Sequence, residues 1–469
     1  MVELIGREKE IEQLRRCVNS EKSEFVIVYG RRRVGKTFLI RKFFNDDYAF
    51  YFVGRHNESQ DVQLASFADQ LKRYSKSTFA PKLKNWDDAF ACLRDYLESL
   101  PTGRKVIFID EMPWIDTHKS QFVSALEYFW NSWVATRDDI VLVACGSATS
   151  WMADKLLENK GGMHNRITCQ IYLRPFTLGE VEKYLESKNC YWDRMQIVQA
   201  YMVLGGVPYY YSLINTTQSL AQNIDYLFFE KNAPLSCEFS ELYSALFANA
   251  DRYINVVSIL AQKHDGMSRQ EIIEATGLSG GNMTKILDNL EKCDFITVYV
   301  KFGCKKNNVT YRLTDFYTLF YFRFLHDKRT LDNAFWTHNC TSQAVVSWQG
   351  MAFEIVGMTH SNQIKKKLGI LGVSTSISAW RNAETQIDML IDRADRVINL
   401  CEFKFSDSPY VISKEYEQKL RMRLAIFKES TSCRKSLVTT FVTTFGVVPG
   451  KHSAIAAAEV TMDDLFVND

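Results

Sequence analysis

The period of the apolar residues changes along the chain. Through residues 1–175 short apolar runs alternate with longer amphipathic segments. The runs Glu24–Tyr29, Tyr48–Val53, Val106–Ile109, Ile140–Cys145 and Thr168–Leu173 predict strands, and the amphipathic segments between them predict helices. That alternation is the pattern of an α/β layer built on a parallel sheet. Pro175 and Phe176-Thr177-Leu178-Gly179-Glu180 mark a change. From there to residue 250 the pattern is helical, interrupted at Gly205-Gly206-Val207-Pro208. Residues 251–330 hold two short helical patterns, then strands, then the aromatic-rich Phe316–Leu325. From residue 348 a mixed α/β pattern returns: a helix near Gln349–Gly357, then strands near 387–392, 397–403 and 437–444. The expected organisation is 1–175, 176–250, 251–330 and 331–469.

The length of 469 residues agrees with three or four such parts, at roughly 100–200 residues per domain. Lys and Arg number 57 against 55 Asp and Glu, so any basic surface must be local rather than global. The eleven cysteines are scattered, without a Cys-x-x-Cys pair or zinc spacing. They read as reduced, buried thiols in a cytoplasmic protein. The N-terminal Met1-Val2-Glu3-Leu4 lacks an apolar signal core, and no apolar run has the length of a membrane span. The expectation is a soluble protein with no membrane partner.

Gly30-Arg31-Arg32-Arg33-Val34-Gly35-Lys36-Thr37 fits the Walker A pattern, between an apolar strand and the helix predicted over Thr37–Phe44. Gly30 and Gly35 let the backbone curl so that successive N–H groups face phosphate oxygens. The helix N-terminus, with Phe38 in its first turn, adds its positive end. Lys36 is placed for the β- and γ-phosphates and Thr37 for Mg²⁺. Val106-Ile107-Phe108-Ile109-Asp110-Glu111 reads as Walker B: Asp110 at a strand end as a second Mg²⁺ ligand, Glu111 polarising the attacking water. Ser147 follows the next strand, at the place where AAA-like ATPases, which this order of motifs resembles, carry a polar sensor of the γ-phosphate; the other reading is a simple turn. Arg166 is either a γ-phosphate contact or a solvated loop arginine.

Together with Leu4-Ile5-Gly6-Arg7-Glu8-Lys9-Glu10, these motifs resemble the STAND-type and archaeal-type ATPases of the AAA+ class, P-loop NTPases that bind ATP and Mg²⁺. Leu173-Arg174-Pro175-Phe176 and Gly205-Gly206-Val207-Pro208 resemble that family in the same order. The resemblance implies that Ile5 and Gly6 line the adenine pocket, with Arg7 among the nucleotide-binding residues, that the helices after Pro175 form a lid, and that the Gly205–Pro208 segment sits near the nucleotide. It also brings possible homo-oligomers. The sequence departs at Ser147, where AAA+ proteins usually carry Asn.

Met267–Ser279 reads as helix and turn, with Ser268 as N-cap and Gly277 as stop. Gly280–Cys293 is a second helix, with Met283, Ile286, Leu287 and Leu290 on one face and Asn282, Thr284, Lys285 and Asn289 expected outside. Strands Phe295–Val300 and Val309–Leu313 flank a loop with Lys301, Lys305 and Lys306. This is the order of a winged helix-turn-helix, which either places its second helix in a DNA major groove or serves as a packing unit.

Near the C-terminal end, Asp388 is expected to close one strand segment, while Glu402-Phe403-Lys404 lies on the next. Strand alternation puts Glu402 and Lys404 on one face. Asp388 and Glu402 would hold Mg²⁺ across the hairpin, and Lys404 would orient the water. With Glu354 on the preceding helix, this resembles the PD-(D/E)XK nuclease superfamily. Archaeal-type ATPases often end in such a domain, and the segments at Tyr311–Phe324 and Asp463–Phe466 resemble them too. The implied function is an ATP-binding and ATP-hydrolysing protein acting on DNA with a Mg²⁺-dependent nuclease-like domain. The alternative is a nucleotide-controlled switch whose C-terminal domain is an inactive docking module.

Overall fold

The structure, a computed structural model, describes residues 4–147, 149–157, 166–303, 309–326 and 332–467. The chain divides into two units, Met1–Pro175 and Phe176–Asp469.

In the first unit five strands, β1 (Glu24–Tyr29), β2 (Phe50–Val53), β3 (Lys105–Asp110), β4 (Ile140–Gly146) and β5 (Cys169–Tyr172), form a single sheet in the order β2-β3-β4-β1-β5. Every pairing is parallel. A parallel sheet is covered on both faces, which is why these strands read as apolar runs rather than as alternating ones. Alternation nevertheless sorts the two faces. Phe25 and Ile27 of β1 join the core with Trp86, Phe90, Leu126 and Phe129. Val26 and Val28 join the opposite core with Leu14, Leu39 and Ile40. β2 begins at Phe50, later than the apolar run suggests, because Tyr48 instead packs its ring on Tyr51 and Phe108.

The second unit opens with helices whose starts are fixed by their own side chains. Thr177 and Glu180 form a capping box on helix Leu178–Ser187, and Asp193 and Gln196 do the same for Arg194–Leu204. One apolar core runs from Phe176 through Tyr243, Leu290 and Phe353 to Phe466.

Helix Arg269–Thr276 starts at the Ser268 cap and ends at Gly277, where φ is +68°. Helix Gly280–Lys292 follows, then the antiparallel hairpin of β6 (Ile296–Val300) and β7 (Val309–Leu313). Met267 adds a bridge to Tyr311 of β7. Asn282, Thr284 and Lys285 are exposed as expected. Asn289 is not: it is 7% exposed, and its amide donates to the Tyr253 hydroxyl at 2.7 Å. Its position borders the apolar stripe, and a tyrosine hydroxyl facing that stripe satisfies it. Lys301 is exposed, whereas Lys305 and Lys306 lie outside the described residues.

The last part holds five strands, β8 (Thr375–Arg381), β9 (Gln386–Arg393), β10 (Val397–Lys404), β11 (Ser436–Thr443) and β12 (Ala458–Thr461). Their order is β12-β11-β10-β9-β8. β8, β9 and β10 pair antiparallel, and β10, β11 and β12 pair parallel. A parallel step needs a crossover, and helix Lys414–Thr431 supplies the one from β10 to β11. Helix Gln343–Thr359 lies against β10 at Gly357, where a Cβ would stand 2.1 Å from the Phe403 ring. Asp388 does not end its strand. It is the third residue of β9, because pairing with β8 extends the strand back to Gln386.

Replacing Asn289 by Ala leaves the buried Tyr253 hydroxyl without its partner. The expected loss of stability is about 1–3 kcal/mol in urea unfolding. Asn282→Ala, on the exposed face, is expected to stay within about 0.5 kcal/mol of the parent.

Candidate functional site

The carboxyl ends of β1 and β3 carry the first candidate site. At Gly30 the chain leaves β1 with φ +142°, and a Cβ there would stand 2.3 Å from the Leu173 carbonyl oxygen, so only glycine fits. Arg33 and Gly35 also adopt positive φ, and helix Lys36–Phe43 starts immediately after. The curled backbone thereby feeds into a helix N-terminus, the combination that binds phosphate through main-chain N–H groups. Lys36 is buried, and its ammonium donates to the carbonyls of Gly30 and Arg31, both at 2.9 Å. Arg7, buried and at φ +68°, donates to the Val34 carbonyl at 3.4 Å and so ties the segment of Ile5 and Gly6 to the loop. Arg31 and Val34 are buried, and Arg32 and Arg33 are half-buried. Phe38 is exposed, with the Lys42 ammonium 5.7 Å from its ring centroid. Arg166 is exposed in the turn before β5.

β1 and β3 are not neighbours; β4 lies between them. The two strands still bring their motifs together. The Thr37 hydroxyl donates to Asp110 Oδ1 at 3.2 Å. The same oxygen accepts the Glu111 N–H at 2.9 Å and the Cys145 thiol from β4. Burial, and then the Asp110 charge, push the Cys145 thiol well above its ordinary range, so it is a protonated donor. Glu111 stands at φ +46°, and its Oε2 accepts from the Ser147 hydroxyl at 2.9 Å and the Ser147 N–H at 3.3 Å. Sequence reasoning placed Thr37, Asp110, Glu111 and Ser147 here but missed Cys145. The only signal was its place one residue before Gly146-Ser147, at the end of an apolar run. A separate cavity of about 460 Å³, lined by Tyr51, Val53, Arg55, Ser66 and Asp69, holds none of the predicted nucleotide residues.

The second candidate cluster lies on β9, β10 and helix Gln343–Thr359. Met389 pairs with Cys401, which sets Asp388 and Glu402 at the next step of the antiparallel ladder. Glu402 and Lys404 do share a face, 3.0 Å apart. Glu402 also binds the Arg423 guanidinium at 2.5 Å and accepts the Tyr416 hydroxyl, both from helix Lys414–Thr431. Burial pushes the Glu402 carboxyl up, but Lys404 and Arg423 outweigh it and hold it below the usual range. Lys404 stands 4.6 Å from the Tyr416 ring centroid. Glu354 is paired with Arg312 of β7 at 3.1 Å. Burial and then the Asp388 charge raise Glu354 to about 7. Asp388 is pushed up by burial as well, and Gln386 donates to it at 3.2 Å. Sequence reasoning named Glu354, Asp388, Glu402 and Lys404 but not Arg312, Tyr416 or Arg423. Among the described residues no group of three or more His, Cys, Asp and Glu side chains is placed to hold a metal ion.

Residues 4–214 match the family model of an ATPase domain found predominantly in Archaea. This part of the chain is an archaeal-type ATPase domain on an α/β fold with a parallel sheet. An uncharacterized protein of Methanocaldococcus jannaschii, MJECL04, is 21% identical over 416 residues, 86% of this chain and 88% of that protein. An uncharacterized ATP-binding protein of the same organism, MJ0423, is 51% identical over 43 residues, 9% of this chain and 73% of that protein. Among solved structures, the Walker-type ATPase PABY2304 of Pyrococcus abyssi is similar over 68% of this chain and 96% of its own, at 18% identity and a TM-score of 0.49. The Aeropyrum pernix ORC2 protein is similar over 76% and 96%, at 14% identity and a TM-score of 0.40. Among the described residues no helix is long and apolar enough to cross a membrane.

Arg423→Met would leave the partly buried Glu402 with Lys404 as its remaining salt-bridge partner. The expected cost lies at the low end of roughly 3–5 kcal/mol, because Lys404 stays in place. Urea unfolding checks it, and the added change Glu402→Gln is expected to recover part of the loss.

Proposed function

We propose that this chain binds ATP with Mg²⁺ at the P-loop, hydrolyses it there, and uses the nucleotide cycle to act on DNA. The observation that carries the reading is the convergence of Lys36, Thr37, Asp110, Glu111 and Ser147 from three strand ends onto one spot. Thr37 and Asp110 are hard oxygen ligands already in contact, a donor set that fits Mg²⁺. When bound, the ion neutralises charge building on the phosphate oxygens. The chain's own groups do the rest. The loop N–H groups and the helix N-terminus hold phosphate. Lys36, which now spends its donors on loop carbonyls, turns them to the β- and γ-phosphates. Glu111 accepts a hydrogen bond from the attacking water, while Ser147 holds its other contact. Ile5 and Gly6 line the adenine side, and Arg7, Arg31, Arg32, Arg33, Phe38 and Arg166 complete the nucleotide surroundings.

DNA contact belongs, in this reading, to a winged helix-turn-helix at 251–330. Asn282, Thr284, Lys285 and Lys301 are its exposed polar face. The C-terminal domain is of the PD-(D/E)XK kind, with Glu354, Asp388, Glu402 and Lys404 as its cluster. As arranged, that cluster does not fit a divalent ion, because the chain's own cations hold Glu354 and Glu402. This observation favours a second reading, in which the domain docks a partner and the nucleotide switches oligomeric state.

Lys36→Ala is expected to abolish ATP binding measured with a fluorescent analogue. Glu111→Gln is expected to keep binding and lower turnover by roughly 100-fold or more, as loss of a general base does. Turnover unchanged in Glu111→Gln would overturn its assignment. Plasmid and linear DNA incubated with the protein, with and without ATP, separates the two readings of the C-terminal domain. Cutting that Lys404→Ala removes supports the nuclease. Intact DNA, with a change in sizing-column elution that Lys36→Ala abolishes, supports the switch.

A further inference from the structure

Three donors meet at Oδ1 of Asp110, and they are not equivalent. The Glu111 amide is the next residue in the chain, so it follows the backbone of Asp110 and does little to fix the side chain independently. The Thr37 hydroxyl is the group that must turn toward a metal ion when one binds. That leaves Cys145, on β4 between the two motif strands and fully buried, with Val28 of β1 as its partner in register. The thiol comes from a separate and rigid element. Its hydrogen bond to Asp110 does not run through Thr37.

We propose that Cys145 is a positioning residue for ATP hydrolysis: its thiol holds the Asp110 carboxylate in the orientation that a divalent cation requires at the P-loop. The inference rests on the ATPase reading above. A neutral donor suits this role. It fixes the carboxylate through one oxygen and leaves its negative charge for the metal, which a lysine or arginine at 145 would cancel. A thiol is also small and tolerates complete burial in the apolar centre of the sheet. Asp110 is only 3% exposed, so water is poorly placed to do the same work.

The test uses the full chain with Cys145→Ser, which keeps a donor, and with Cys145→Ala and Cys145→Val, which lack one and bracket the thiol in size. Binding of a fluorescent ATP analogue is titrated against Mg²⁺ and repeated in EDTA, beside thermal unfolding and steady-state turnover. In both donor-less variants the Mg²⁺ needed for half-maximal effect is expected to rise about five- to tenfold, the scale of one buried hydrogen bond. Affinity in EDTA is expected to stay at the parent value, and the serine variant to stay within about twofold of the parent. An unchanged Mg²⁺ requirement in the alanine and valine variants overturns the proposal. So does equal impairment in all three, which would make Cys145 a packing residue. Should alanine fail to fold, valine and serine still make the comparison. A parent protein that binds no nucleotide would instead sink the ATPase reading, a separate outcome.

Discussion

The candidate site of the first unit depends on the contact between Thr37 and Asp110. These residues come from strands that do not touch, and β4 separates them. Only a parallel sheet solves that problem, because its strands all end on the same edge and its loops all open there. The register sets how far each strand reaches: Val53 of β2 pairs with Asp110, and Tyr29 of β1 with Gly146 of β4. A slip of one residue in β3 would turn Asp110 to the opposite face of the sheet. The apolar side chains that sort Phe25 and Ile27 to one face and Val26 and Val28 to the other therefore do more than stabilise. They hold a carboxylate and a hydroxyl within hydrogen-bonding distance.

How much of this could be read from the chain differs between the units, for a physical reason. In the first, Walker A carries its own geometry: glycines where φ must be positive, a lysine and a hydroxyl at fixed offsets. Buried parallel strands also announce themselves as apolar runs, so β1, β3 and β4 were legible nearly to the residue. In the last part β9, β10 and β11 also face apolar core on both sides and read as apolar runs, but β8, with Thr375, Ser376 and Ser378, does not stand out from a loop. Helix Lys414–Thr431 was missed because it buries little beyond Leu420 and Phe427. Yet it brings Tyr416 and Arg423 to Glu402. Contacts between elements distant in sequence, such as Cys145 with Asp110 or Arg312 with Glu354, leave no periodic trace. Asn289 shows the converse: its type suggested solvent, and a single tyrosine hydroxyl reversed that.

The two acidic clusters carry opposite charge logic. Around Asp110 the contacts are a hydroxyl, an amide and a thiol, all neutral, so its charge is oriented but not cancelled. Around Glu402 they include Lys404 and Arg423, and Glu354 has Arg312. Taking carboxylates out of water is costly, and each cluster meets that cost differently. The first gives its carboxylate three neutral hydrogen-bond donors. The second is already paired with the protein's own cations, and two of the three, Arg312 of β7 and Arg423 of helix Lys414–Thr431, come from other elements. Arg312 and Arg423 therefore join β7 and that helix to the β9–β10 sheet as ion pairs, which hold only while the carboxylates stay charged. Neutral donors orient a carboxylate, whereas cations from other elements tie those elements together. The C-terminal ion pairs are the contacts that any cleavage or docking there must first rearrange.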